Sequence, residues 1–389
     1  KSQSFLKLGQ DLNGEYSYDY SGWSVSMPDA NTVAIGARYN DGNGGSSGHV
    51  RIYFRDGSSW SRKGVDIDGE ASGDNSGYSV SMPDANTVAI GAPYNHGNGN
   101  SSGHVRIYSW DGSSWSQKGV DIDGEASGDN SGYSVSMPDA NTVAIGAPYN
   151  HGNGNSSGHV RIYSWDGSSW SQKGVDIDGE NSSDQSGWSV SMPDANTVAI
   201  GVPYNHGNGG YSGHVRIYSW DGSSWSQKGV DIDGENSSDQ SGWSVSMPDA
   251  NTVAIGAPYN HGNGSYSGHV RIYSWDGSSW SQKGVDIDGE NSSDQSGYSV
   301  SMPDSNTVAI GARYNDGNGG EAGHVRIYSW DGSSWSQKGV DIDGENSSDK
   351  SGYSVSMPDT NTVAIGAPYN YGNGSYSGHV RIYDLTFLE

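Results

Sequence analysis

Tyr94, Asn95, His96 and Asn98 lie close together, and the same quartet returns as Tyr149, Asn150, His151 and Asn153 and as Tyr204, Asn205, His206 and Asn208. A phenol ring beside planar amides and an imidazole can stack on the apolar face of a sugar and hydrogen-bond its hydroxyls. The Asn-Gly pairs in these segments equally suit tight turns that need φ > 0, a purely structural use. A second constellation is Asp121, Asp123, Glu125 and Asp129, at relative positions 1, 3, 5 and 9. That spacing approximates a calcium loop, although Gly124 falls at position 4 rather than 6 and Ile122 places the first two Asp beside a strand. Asp129 recurs in every copy, Asp19 and Asp349 included, which also suits an acceptor for backbone N–H groups at a strand start. His104 and its equivalents open a strand, a position that favours local hydrogen bonding. His96 is exchanged for Asp41, Asp316 and Tyr371, as an exposed contact residue would be.

These residues recur because the chain does. Met27, Met82, Met137, Met192, Met247, Met302 and Met357 mark seven copies of a 55-residue unit, with long stretches identical. Such a period points to a repeat architecture. It also weighs against an enzyme, since no Ser-His-Asp set can be singled out when every member returns around the molecule. Seven near-equivalent sites suit multivalent binding better than one reaction centre.

Composition sets further bounds. The net charge is −25, which opposes binding to nucleic-acid backbones. Apolar content is 32%, low for a folded chain, but 14 Trp and 25 Tyr stand at fixed phases of the repeat and supply buriable area. There is no Cys to form a disulfide or a thiolate metal site. No apolar run is long enough to span a membrane, so no insertion is expected. The opening KSQSFLKLGQ lacks the apolar core of a signal peptide.

The elements that must position the candidate residues follow from period-two alternation. In the second unit Tyr78, Val80 and Met82 alternate with Ser79 and Ser81, a strand. Pro83 to Asn86 is a turn, TVAIGA a second strand, and YNHGNGNSSG a loop leading to the third strand, HVRIYSW. Asp111-Gly112 is a hairpin turn into a fourth strand running through Ile122. Four antiparallel strands in each of seven units, with no helix, predict an all-β, closed seven-bladed β-propeller. An open solenoid is the rival. Residues 4–15, SFLKLGQDLNGE, align with 114–125, SWSQKGVDIDGE, while the last unit lacks its own fourth strand. The N-terminal strand, residues 4–12, is therefore expected to complete the C-terminal blade, and residues 1–389 to form a single domain.

The stretch SGYSVSMPDANTVAIGAPYN…GHVRIY resembles the FG-GAP repeats of integrin α-subunit propellers and their relatives. Gly77-Tyr78-Ser79-Val80, Ile90-Gly91-Ala92-Pro93 and Gly103 to Tyr108 carry the likeness in all seven units, with Arg38 and Arg313 replacing Pro in two. Many relatives hold calcium between strands one and two; here that loop is only MPDAN, with Asp84 alone, so that site is not expected. The letters of GHVRIYSWDG also echo the WD repeat, but the Gly-His and Trp-Asp pairs stand too close together for that family. The resemblance implies a non-enzymatic interaction or adhesion module, extracellular or at a cell surface. A multivalent lectin and a ligand-free scaffold are the alternatives. No cofactor is expected, calcium being the one metal to consider. Variation among units collects in the loop between strands two and three and in the linker to the next unit, which a propeller places on one face. That face is the expected surface for a protein or glycan ligand on a monomeric chain.

Overall fold

The computed structural model describes residues 4–386. Seven antiparallel sheets stand side by side, and blades are numbered here in chain order from the one whose innermost strand is Ser24–Asp29. In blade two the order runs outward from Ser79–Asp84 through Thr87–Ala92 and His104–Trp110 to Trp115–Gln117. The innermost strand carries a bulge between Ser81 and Asp84, where Pro83 has no N–H to give to a ladder.

The sheets differ from the expected closed, four-stranded form in two ways. None is closed: each blade is a separate open sheet with its own edges, joined to its neighbour by side chains and by single backbone bridges such as Gly48 to Ser76. Each sheet also holds five strands, because the outer edge is broken and Ile122–Asp123 pairs on its own with the start of His104–Trp110. The break lies at Gly119, whose φ is +78°; a Cβ there would come within 2.8 Å of both Trp165 and Trp170 of the next blade. Trp170 occupies the notch and donates from its indole N–H to the Lys118 carbonyl at 2.8 Å. An aromatic anchor thus takes the place of the middle of a continuous outer strand.

The last blade draws its outer strands from the other end of the chain. Leu6–Lys7 pairs with Asp384 and Tyr383, and Leu12–Asn13 with Val380 and His379. Leu12 lies buried with Val380, Ile382 and Ala364 of blade seven against Val25, Met27 and Val33 of blade one. The same seam recurs between all blades. Ala34, Val50, Ile52 and Ile67 of blade one, for example, meet Val80, Met82, Val88 and Ile90 of blade two. Small residues on one face of a blade make room for branched ones on the next, so the low aliphatic content is concentrated where two sheets meet.

Candidate functional site

The loops between strands two and three and the linkers between blades emerge together, at the end of the molecule where the inner strands begin. Around the axis there, Trp23, Tyr78, Tyr133, Trp188, Trp243, Tyr298 and Tyr353 touch in succession, with centroid separations from 4.6 to 5.8 Å. A second tier leans edge-on against them: Tyr94 on Tyr78, Tyr149 on Tyr133 and Tyr204 on Trp188. Arg38 and Arg313 stack on this aromatic floor, 4.4 Å from Trp23 and 3.8 Å from Tyr298. Burial by neighbouring rings pushes the Tyr133 and Tyr353 phenols well up and those of Tyr204 and Tyr369 up to about 12.

The quartets divide between fold and surface. Asn95 is buried; its amide donates to Asp74 at 2.8 Å and its carbonyl oxygen accepts from the Gly97 N–H. Asn98 donates to the Gly124 carbonyl in its own blade's exit linker at 3.0 Å. Asn150 bonds Asp129 and Asn153 bonds Gly179, while Asn205 bonds Asp184 and Asn208 bonds Gly234. The amides therefore staple each loop to the linkers beside it. His96 and His151 remain exposed, each accepting through Nδ1 from the backbone N–H of Ser101 or Ser156. His206 instead faces the Tyr211 ring at 4.9 Å. Tyr211, Tyr266 and Tyr371 are exposed, as are Tyr16 and Tyr18 of the first linker. Sequence reasoning passed over Tyr211 and Tyr266, although the exchange of Ser101 for a ring at that one position was visible in the comparison of units.

The acidic constellation is shared between two sites rather than gathered in one loop. Asp121 and Asp123 approach His104, with Nδ1 3.6 Å from Asp121 and 3.9 Å from Asp123, and Glu70 from the preceding linker joins them. Glu125 belongs to the next such group, with His159 and Asp176. Asp129 is buried and accepts from the Asn150 amide and the Ala126 N–H. An arginine accompanies each group: Arg106 pairs with Asp121 at 3.0 Å and also with Glu70, Arg161 with Asp176 at 2.7 Å and with Glu125. Burial drives the pKa of His49, His269, His324 and His379 down to about 4, against the pull of adjacent carboxylates. These His/Asp/Glu groups can coordinate a divalent cation. Among the described residues no helix is long and apolar enough to cross a membrane.

Comparison with known proteins places this geometry. The family model described as FG-GAP repeat matches residues 14–53 and 227–273. No curated protein matches the sequence. Among solved structures, a candidate 6-phosphogluconolactonase from Bacteroides uniformis superposes with TM-score 0.59 at 10% identity, over 86% of this chain and 88% of its own. The hydrazine synthase of Kuenenia stuttgartiensis superposes with TM-score 0.59 at 12% identity, over 97% of each chain. At such identities the likeness extends to the fold alone. The chain is a seven-bladed propeller in which these two stretches match the FG-GAP repeat, consistent with a non-enzymatic binding or scaffold module.

Proposed function

We propose that the module binds its partner through the loop face, with the exposed tyrosines of blades four, five and seven and of the first linker as anchors. One observation carries this reading: in a chain of near-identical units, substitutions collect on that face, and several of them put Tyr211, Tyr266 and Tyr371 into solvent. Tyr buries a large, rigid area at small entropic cost and is enriched at binding hot spots. A protein partner at a cell surface or in the extracellular space fits such a face best. A glycan is the second reading, favoured by the imidazole–phenol pairs His206–Tyr211 and His261–Tyr266. On this proposal residues 1–389 act as one monomeric domain, and the charge of −25 keeps nucleic acids away.

Tyr211→Ser with Tyr266→Ser tests it, because Ser is what blades two and three carry at Ser101 and Ser156. Cell-surface adhesion of beads coated with the wild-type chain is expected to fall at least several-fold for the double variant. Equal adhesion by both overturns the anchors named here. A glycan array probed with both chains separates the two ligand classes.

A further inference from the structure

We infer that in blades one to six the groove between the loop of one blade and the linker entering it is a transition-metal site, formed by a buried histidine, two Asp and a Glu, with a weaker counterpart in blade seven. In blade two the donors are His104 Nδ1, Asp121, Asp123 and Glu70. The same set returns as His49 with Asp66, Asp68 and Glu15, and as His214 with Asp231, Asp233 and Glu180.

The unpaired imidazole nitrogen carries the argument. His104 is 2% exposed, and its Nδ1 has no hydrogen-bond partner; the same holds for Nδ1 of His49, His214, His269, His324 and His379. A buried nitrogen left without a partner is costly, and six copies of it in one chain require a cause. The carboxylate oxygens facing the equivalent imidazole nitrogens in blades one to six, His159 of blade three included, stand 3.5 to 3.9 Å off, beyond a good hydrogen bond. Metal–ligand bonds of about 2.0–2.2 Å set neighbouring donor atoms roughly 3.0–3.5 Å apart. A cation between them needs only a small inward movement of the half-exposed Asp123 type.

Charge points the same way. In blade three Arg161 offsets one of the three carboxylates Glu125, Asp176 and Asp178, so two negative charges remain beside a buried imidazole. A divalent ion balances them. Arg161 pairs with Glu125 and holds both oxygens of Asp176, Oδ1 at 2.7 Å and Oδ2 at 3.2 Å. Oδ2 also lies 3.5 Å from His159 Nδ1, so a metal would share that oxygen with the guanidinium and draw on Asp178 as its second Asp. A cavity of about 270 Å³, lined by Glu125, Asp129, His151, Asp176 and Asp178 among others, opens the groove to solvent and gives an ion a way in. One nitrogen with carboxylate oxygens favours borderline ions such as Zn²⁺ or Mn²⁺ over Ca²⁺, which prefers oxygen donors throughout.

Blade seven is a built-in control. Asn13 stands opposite His379 where Asp123 stands opposite His104, so that site has one carboxylate fewer. Six strong equivalents and one weaker are expected per chain. The test is calorimetric titration of the purified chain with ZnCl₂, MnCl₂ and CaCl₂, with bound metal counted by mass spectrometry after gel filtration. Asp123→Asn, which copies blade seven and leaves the Arg106–Asp121 pair in place, should lower the strong count by one, as should His104→Gln. A count near six that drops in both variants supports the site. Absence of zinc and manganese binding, binding of calcium alone, or a count unmoved by both variants overturns it.

Discussion

Ser26 Oγ accepts a hydrogen bond from the Met82 backbone N–H, 3.0 Å away and one blade further on. The donor is free because Pro83 bulges the inner strand and takes Met82 out of its own ladder. Every blade repeats the bond, and between the chain ends Met27 donates to Ser356. Ser191→Ala, which strips the acceptor from Met247, should therefore cost about 1–3 kcal/mol, the penalty for a buried N–H left unmet. Urea denaturation measures it. Ser223→Ala in an exposed turn serves as comparison and should stay within about 0.5 kcal/mol. Equal, negligible effects at both positions would remove the bond from the account of blade contact.

The junction of the two chain ends should be as strong as any other seam. Leu12, 3% exposed, holds in blade seven the place that Ile232 holds in blade four. Truncating either to Ala removes a buried branched side chain and should cost about 2–5 kcal/mol. If Leu12→Ala leaves the melting temperature unchanged while Ile232→Ala lowers it, the N-terminal strand is not part of the folded blade in solution.

Much of this was legible in the alternation of large and small residues. Tyr78, Val80 and Met82 against Ser79 and Ser81 announced the inner strand, and the alignment of residues 4–15 with 114–125 announced where the N-terminus would lie. The broken outer strand was not legible, because its cause is Trp170 of another blade resting on Gly119, a contact between units that no pattern within one unit shows. The same limit hid the His/Asp/Glu group: Glu70 and His104 are brought together only by blade packing, so a loop-spacing argument linked Asp121 to Glu125 instead. Asn95 and Asn98 held a clue that went unused. Both are identical in all seven units while His96 beside them varies, the mark of amides whose partners belong to the fold.

The axial phenols should couple stability to alkaline pH. An unfolded chain releases phenol protons near 10, whereas burial holds Tyr204 and Tyr369 up to about 12 and also pushes Tyr133 and Tyr353 well up. Above pH 10 the folded state then binds more protons than the unfolded one, so stability falls as pH rises. The contribution is intact below pH 10 and is lost across the interval toward 12 and beyond. Absorbance at 295 nm should accordingly show one group of tyrosines ionising early and a second ionising in a step that coincides with loss of β-sheet circular dichroism. A single smooth titration of all tyrosines with the sheet intact would contradict the buried ring.

Gly91 tests how closely the blades approach. Its φ is outside the left-handed region, so alanine carries no conformational penalty there. An added Cβ, however, would lie 2.1 Å from the Gly132 carbonyl oxygen of blade three and 2.2 Å from Ser79 Oγ. The first obstacle is backbone of another sheet and cannot swing aside. Gly91→Ala should therefore cost at least the roughly 1–3 kcal/mol of an overpacked core, by forcing two blades apart. Gly210→Ala is the control, since its Cβ would meet only His206 at 3.9 Å and other units carry Asn100 or Ser265 at that position. A lowered melting temperature for the first and none for the second is the expected pair. Matching values for both would mean that adjacent sheets stand further apart than 2.1 Å allows, and that the small residues at the seam serve something other than close approach.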